Sequence, residues 1–216
     1  LPFIKKISDK SMIIKSEYLF LEMKSRHTIR DFSDRLVPYS IIENCIKVAC
    51  SAQSGANLQP WHFVVISDPN IKSKIRIAAE NEEKKFYNDI KKDEWLKALE
   101  PIGTNPDKPH LQIAPWLIVV FLERYSELSD GSKRKNYYVP ESVGIAMGFL
   151  IAAIHNAGLV CLEHTPNPMK FLNDLCGRPE NEKPIMILPV GTPSENASIP
   201  KAAKLKKPLS EILTVF

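Results

Sequence analysis

Four short, mostly apolar runs of residues divide the chain, and each has the length of a strand. Residues 61–66 and 116–122 are rich in branched and aromatic side chains, which is typical of strands buried on both faces. Residues 158–162 and 185–190 follow the same pattern later in the chain. Because longer helical segments separate these runs, the sequence predicts an α+β or α/β-type domain.

Segments with helical periodicity fill much of the remaining chain. Residues 9–25 mix charges with spaced apolar residues and predict an amphipathic helix or arm. A second helix is expected up to residue 49, with Ser40 and Glu43 forming a capping box at its start. A highly charged helix is expected from residue 71 to about residue 93.

The helix predicted over residues 141–156 is apolar nearly all round and contains many small residues. A helix of this composition is expected to be buried, with its small side chains letting another backbone approach closely. A shorter helix is expected over residues 171–176, ending at Gly177. No repeat or low-complexity tract suggests a second domain.

Charge and cysteine usage narrow the classes of function. Lys and Arg number 29 against 25 Asp and Glu, and this small excess of +4 does not argue for a nucleic-acid partner. The spacing of the cysteines matches neither a zinc module nor a disulfide framework, so buried free thiols in a reducing compartment are expected. These cysteines are Cys45, Cys50, Cys161 and Cys176.

The longest run without a polar side chain, residues 143–154, is too short to span a bilayer. No secretory or transit segment is visible, so a soluble, cytoplasmic domain is expected. Because the chain begins at Leu1 rather than Met, the sequence leaves open whether a membrane anchor precedes it.

Several common catalytic motifs are absent from the sequence. It contains neither a G-x-G-x-x-G dinucleotide loop nor a Walker A loop. Ser54 lacks the flanking glycines of a nucleophile elbow. The histidines, at positions 27, 62, 110, 155 and 164, lack metal-ligand spacing, so no metal site is expected.

Two basic clusters could bind an anion. The first, residues 26–30, places a hydroxyl and an imidazole between two guanidiniums, and these groups can grip a phosphate. The second consists of lysines near the C-terminus. The alternative for each cluster is an ordinary solvated surface, which is the commoner role of such a run. The lysines are Lys201, Lys204, Lys206 and Lys207.

Two loops carry small polar residues beside predicted strands. Residues 54–57 precede the strand at 61–66, and Gly55 permits close approach of the backbone to a flat ligand. Thr165 follows the strand at 158–162, where its hydroxyl could bond a cofactor atom. The alternatives are an ordinary connecting loop and a capped turn.

The charged helix and the segment after it carry a third type of candidate. Glu83 and Tyr87 are four residues apart, so they share one helix face. Together with Lys108 they would match the opposite charges of a zwitterionic amino acid. The alternative is a solvated helix surface.

The order of these motifs resembles the FMN-dependent nitroreductase superfamily. The resemblance rests on residues 26–30, on residues 54–61, and on a late strand ending in Pro-Val-Gly at 189–191. The spacing of Glu83, Tyr87 and Lys108 is similar to the substrate lid of the iodotyrosine deiodinase subfamily.

The resemblance implies the nitroreductase fold, a central mixed β-sheet flanked by helices in an intertwined homodimer. It covers nearly the whole chain. Residues 1–25 would form an arm embracing the partner subunit, and residues 26–216 would form the FMN-binding domain. Residues from about 80 to 110 would form a lid over the active site.

The resemblance also implies roles for individual residues. Thr165 would be catalytic through a hydrogen bond to flavin N5, and Ser54 with Gly55 would line the flavin of the partner subunit. The residues assigned to FMN are Arg26, His27, Thr28, Arg30, Gln53, Ser54, Gly55, Glu163, His164, Thr165 and Lys206. The residues assigned to substrate are Ala56, Glu83, Tyr87 and Lys108.

The implied activity is reductive removal of iodide, bromide or chloride from a halotyrosine, with electrons from an unidentified reductase or an NAD(P)H system. Two alternatives remain: an FMN oxidoreductase acting on nitroaromatics or quinones, and a non-catalytic flavin or amino-acid binding protein. Three residues differ from the usual pattern of the family. Lys206 stands where arginine is common, Asn57 where histidine is frequent, and Glu163 where threonine is common.

Overall fold

The structure is a computed structural model that describes residues 6–88 and 93–216. Residues 1–5 of the expected arm and residues 89–92 of the expected lid lie outside the described residues. The helices are α1 (Asp9–Ser25), α2 (Tyr39–Cys50), α3 (Pro69–Tyr87), α4 (Asp93–Leu99), α5 (His110–Ile113), α6 (Val139–Asn156), α7 (Phe171–Cys176) and α8 (Lys201–Lys204). The strands are β1 (Trp61–Ile66), β2 (Trp116–Glu123), β3 (Tyr125–Glu127), β4 (Lys133–Lys135), β5 (Val160–Cys161) and β6 (Glu182–Gly191).

The main sheet has the strand order β1-β2-β6-β5, and a separate hairpin pairs β3 with β4. The α+β class is confirmed. A mixed sheet was expected, but every pairing between described strands is antiparallel. The strand expected at 158–162 forms a regular ladder only over Val160–Cys161, and the chain then stays beside β6 through an isolated antiparallel bridge between His164 and Ile187.

Strand β2 lies at the centre of the core, and its alternating side chains face two helical layers. Ile118 and Val120 pack with residues of α2 and α6. Leu117, Val119 and Phe121 pack on the opposite face with residues of α3, α5 and α7. All five side chains are completely buried, which explains why this run of sequence is uniformly apolar.

Two helix starts differ from the expectation. Helix α2 begins at Tyr39 after Pro38, so Ser40 already lies inside the first turn and forms no side-chain cap. The predicted capping box is therefore wrong. Helix α3 begins at Pro69, and the Asp68 side chain accepts hydrogen bonds from two backbone N–H groups of its first turn.

Helix α6 is only half covered within the chain. Val143, Leu150 and Ile154 are completely buried against the core, but Gly144 and Gly148 are exposed, with open space around them. The expectation of full burial is wrong for the single chain, because no described segment covers this apolar face. Among the described helices, α6 alone is long and apolar enough to cross a membrane, by length and composition only.

The four cysteines are free, as expected, but only Cys45 and Cys161 are buried. Burial raises the pKa of the Cys161 thiol to about 12, so this thiol stays protonated at neutral pH. Cys50 is exposed, because it lies on the last turn of α2 away from the core.

Candidate active site

The three side chains of the expected lid meet in space. Glu83 and Tyr87 lie on the last two turns of α3, and Lys108 enters from the segment that precedes α5. Lys108 Nζ lies 3.3 Å from Glu83 Oε2 and 5.8 Å from the centre of the Tyr87 ring. We call Glu83, Tyr87 and Lys108 the lid cluster.

Further polar contacts fix the position of Lys108. Its ammonium donates hydrogen bonds to Thr104 Oγ1 at 3.2 Å and to the Asn105 carbonyl at 2.5 Å. Its backbone N–H donates to Glu80 Oε1 at 2.8 Å. Burial lowers the pKa of Lys108, while the carboxylate of Glu83 opposes that change. The lysine is thus held in a nearly dry site by one carboxylate and two neutral oxygens.

Two buried histidines lie beside the lid cluster. The rings of His110 and His164 form an edge-to-face pair with centres 5.6 Å apart. Burial, reinforced by nearby positive charges, lowers the pKa of each to about 3, so both rings are neutral at physiological pH. His164 Nε2 lies 4.0 Å from Glu83 Oε1.

Three buried polar atoms in this region lack a hydrogen-bond partner within the described part of the chain. They are Tyr87 Oη, His110 Nε2 and His164 Nε2. Unpaired polar atoms in a buried site are costly, and a ligand with polar groups can satisfy them. The region is therefore suited to bind a polar molecule.

The lid cluster opens into a cavity of about 220 Å³. One side of the lining comes from α3 and the segment before α5, and the other side comes from the chain after β5. Expected site residues in this lining are Arg30, Glu83, Tyr87, Lys108, Glu163, His164 and Thr165. The cavity therefore brings together residues from three distant parts of the sequence and offers both signs of charge.

The expected phosphate residues lie next to this cavity. Ile29 anchors the basic stretch because its side chain is buried and its N–H donates to the Cys161 carbonyl at 3.2 Å. Partial desolvation and the positive charges of Lys206 and Arg26 lower the pKa of His27. Lys206 therefore lies near the basic stretch, as the resemblance implied.

Glu163 contacts two members of the basic stretch. Thr28 donates a hydrogen bond to Glu163 Oε2 at 2.9 Å, and Arg26 Nη1 lies 3.7 Å from Glu163 Oε1. The same Nη1 atom is buried and has no hydrogen-bond partner in residues 6–88 and 93–216. An orphaned guanidinium nitrogen within a group of cations fits the phosphate of FMN.

The small-residue loop lies elsewhere in the chain. Its conformation is tight, because a Cβ on Gly55 would lie 2.7 Å from the Tyr137 carbonyl oxygen and Ala56 has a φ of 50°. Gly55 N–H donates to Ser142 Oγ at the start of α6. Gln53, Ser54, Gly55 and Ala56 do not line the cavity of their own chain.

Sequence reasoning missed His110 and Glu80. His110 was considered only as a metal ligand and was given no role, yet it lies two residues after Lys108 and is buried as Lys108 is. Glu80 precedes Glu83 by one helical turn, and this spacing on the same face is the signal that could have revealed it.

Comparisons with known proteins agree with this geometry. A model of the nitroreductase family matches residues 23–192. The iodotyrosine deiodinase of Haliscomenobacter hydrossis is 54% identical over 198 residues, which cover 92% of this chain and 89% of that protein. Human iodotyrosine deiodinase 1 is 40% identical over 206 residues, which cover 95% of this chain and 71% of the human protein.

A solved structure supports the same relationship. The crystal structure of oxidized iodotyrosine deiodinase bound to FMN and 3-iodo-L-tyrosine superposes with a TM-score of 0.71 at 34% identity. The match covers 82% of this chain and 90% of that one. The resemblance drawn from the motifs is thus confirmed, and the chain belongs to the nitroreductase family.

Proposed function

We propose that this protein is an FMN-dependent reductive dehalogenase that removes iodide, bromide or chloride from halogenated tyrosine to give tyrosine. The observation that carries the proposal is the lid cluster, where a carboxylate and an ammonium lie 3.3 Å apart inside one cavity. The relatives named iodotyrosine deiodinase, at 40% to 54% identity over most of the chain, support the same activity.

The lid cluster fits the zwitterionic end of an amino acid. Glu83 would bind the substrate ammonium and Lys108 its carboxylate, while the unpaired hydroxyl of Tyr87 would donate a further hydrogen bond. The substrate would thereby replace one internal ion pair by two new ones. That exchange favours a zwitterion over a ligand with a single charge, which would leave one partner unpaired in a buried site.

The residues proposed to bind FMN lie beside the cavity or in its lining. Arg26, His27, Thr28 and Lys206 would hold the phosphate of FMN, and Arg30 in the cavity lining would contact the flavin. Thr165, exposed in the same lining, would offer its hydroxyl to flavin N5. FMN in its reduced form supplies the two electrons that, with one proton, convert a carbon–halogen bond into a carbon–hydrogen bond and a halide ion.

A homodimer would complete the site. Ser54, Gly55 and Ala56 do not line the cavity of their own chain, so they would act from the partner subunit. Two unburied apolar surfaces support this assembly. One is the Gly144 and Gly148 face of α6, and the other is α1, the proposed arm, which has no buried residue. The exposed apolar residues of α1 are Met12, Ile13, Ile14, Tyr18, Leu19, Phe20 and Leu21.

The electron donor would be a separate reductase or an NAD(P)H system. The absence of a dinucleotide loop from the sequence supports a donor that docks transiently. A reducing, cytoplasmic location is consistent with four free cysteines.

An anaerobic single turnover tests the proposed function. The flavin of the purified protein is reduced with dithionite, 3-iodotyrosine is added, and flavin oxidation is followed together with tyrosine and iodide. One tyrosine and one iodide per flavin are expected. Reoxidation by nitroaromatics but not by iodotyrosine would overturn the dehalogenase in favour of a nitroreductase. Bound flavin that no acceptor reoxidises would indicate a binding protein.

A further inference from the structure

Glu163 accepts the hydroxyl proton of Thr28 and places its negative charge beside Arg26, two groups that an incoming phosphate needs. Its two carboxylate oxygens lie against Thr28 Oγ1 at 2.9 Å and Arg26 Nη1 at 3.7 Å. The side chains of Arg26 and Glu163 are each 28% exposed, so this contact is partly shielded from water. Both donors belong to the basic stretch proposed to hold the FMN phosphate.

A carboxylate and a phosphate cannot share these donors freely. A threonine hydroxyl has one proton to donate, and a carboxylate and a phosphate dianion are both pure acceptors. The Thr28 proton already points to Glu163. A phosphate placed on Arg26 and Thr28 would also lie close to the negative charge of Glu163, and partial shielding makes that repulsion stronger than in water.

Two lysines near the basic stretch are more exposed than Arg26. Lys206 and Lys204 act on the pKa of His27, but both lysines are exposed. Exposed ammonium groups bind anions weakly because water and salt screen them. The half-buried Arg26 is therefore a stronger phosphate donor than these two lysines, and Glu163 is the carboxylate that lies against it.

We propose that Glu163 is an internal competitor of the FMN phosphate: in the cofactor-free protein it accepts the Thr28 hydroxyl proton and offsets the charge of Arg26, and it gives up the Thr28 hydrogen bond when FMN binds. This inference rests on the proposed function, since it assumes that FMN is the cofactor. It makes Glu163 a determinant of cofactor affinity rather than a ligand of FMN. FMN binds more weakly than the cationic stretch alone would allow, because each binding event displaces an internal contact.

The test is a comparison of two flavins on the flavin-stripped protein. FMN and riboflavin, which lacks the phosphate, are titrated separately while the quenching of flavin fluorescence is followed. Glu163→Gln keeps the shape of the side chain and removes its charge. We expect this variant to bind FMN about tenfold more tightly than the wild type, with riboflavin affinity unchanged. The matched control is Glu180→Gln, which removes an exposed carboxylate elsewhere.

A second variant and a second readout guard against an effect on folding. Glu163→Ala should also tighten FMN binding. In both variants the melting temperature of the cofactor-free protein should fall, because the attraction between the Glu163 carboxylate and Arg26 is lost, while the rise on adding FMN should grow.

The flavin titrations distinguish a failure of this inference from a failure of the proposed function. FMN binding that is weaker or unchanged in both variants would overturn the inference, and weaker binding would show that Glu163 positions Arg26. Equal tightening of FMN and riboflavin would also overturn it, because the phosphate would then play no part. If the wild type and every variant fail to bind FMN, the proposed function fails instead.

Discussion

At the lid end of the proposed site, Glu83 and Lys108 form an ion pair whose side chains are only 14% and 5% exposed. At the phosphate end, Arg26 and Glu163 are each 28% exposed, and nearby cations outnumber the single carboxylate. The lid end is balanced in charge and nearly dry, whereas the phosphate end is positive and wetter. A zwitterion needs both signs of charge at short range, and a phosphate dianion needs an excess of positive charge.

The largest effect is expected from removing one charge at the lid end. Glu83→Gln leaves Lys108 buried without its carboxylate and removes the partner of the substrate ammonium. Since breaking a buried pair costs about 3 kcal/mol or more, kcat/KM for 3-iodotyrosine should fall at least about 100-fold. FMN affinity should not change. Steady-state kinetics measures kcat/KM, and a flavin titration measures the affinity for FMN.

A surface ion pair serves as the control for that experiment. Glu43 and Lys47 lie 2.9 Å apart on exposed turns of α2. Glu43→Gln should leave kcat/KM unchanged, since exposed pairs contribute little. Equal losses in the two variants would mean that the lid end has no special role.

The dryness of the lid end predicts a dependence of stability on pH. His110 and His164 have folded pKa values of about 3, below the unfolded value of about 6.5. Because the unfolded state binds more protons between these values, stability should fall as pH falls from about 6.5 towards 3. The loss should reach about 1–2 kcal/mol per histidine near pH 5.

The free energy of unfolding, measured with denaturant near pH 7 and near pH 5, gives that loss of stability. The protein used for comparison is the double variant that combines His110→Gln with His164→Gln. The double variant should lose much less stability between the two pH values than the wild type does. An identical loss of stability in the wild type and the double variant would show that the two rings are not held neutral and that water reaches the lid end.

The smallest effect is expected from an exposed charge at the phosphate end. Lys206→Gln removes a screened cation, so FMN affinity should fall by about threefold, with riboflavin affinity unchanged. Because Lys206 helps to lower the pKa of His27, that pKa should rise in the variant, as followed by NMR. Lys207→Gln is the neighbouring control. If FMN affinity falls equally in the two variants, the effect reflects general charge and not a contact.

The strands and the site differ in how much the sequence could reveal. β1 and β2 were predicted within one residue because both are short apolar runs with strand length, although only β2 is buried on both faces. The start of α2 was not predicted correctly. A serine near a helix start gives the same sequence signal whether it caps the helix or lies in its first turn. The exposed face of α6 was also missed, because composition does not tell whether a covering surface belongs to the same chain.

The candidate site was predicted in part. Glu83, Tyr87 and Lys108 were singled out from spacing and resemblance, and the structure brings them together. Glu163 was assigned to the cofactor site, but its contacts with Arg26 and Thr28 were not predicted, because they depend on how the chain after β5 packs against the basic stretch. That packing is a long-range contact with no local sequence signal.

The most direct test of the zwitterion-binding lid end is the affinity of the FMN-loaded wild-type protein for two ligands. 3-Iodotyrosine carries an ammonium and a carboxylate, and 2-iodophenol carries the same halogenated ring with neither. Quenching of flavin fluorescence gives both dissociation constants. We expect 3-iodotyrosine to bind at least about 100-fold more tightly, since two buried ion pairs depend on its charges. Equal affinities would contradict recognition of a zwitterion at the lid end, because the ring alone would then explain binding.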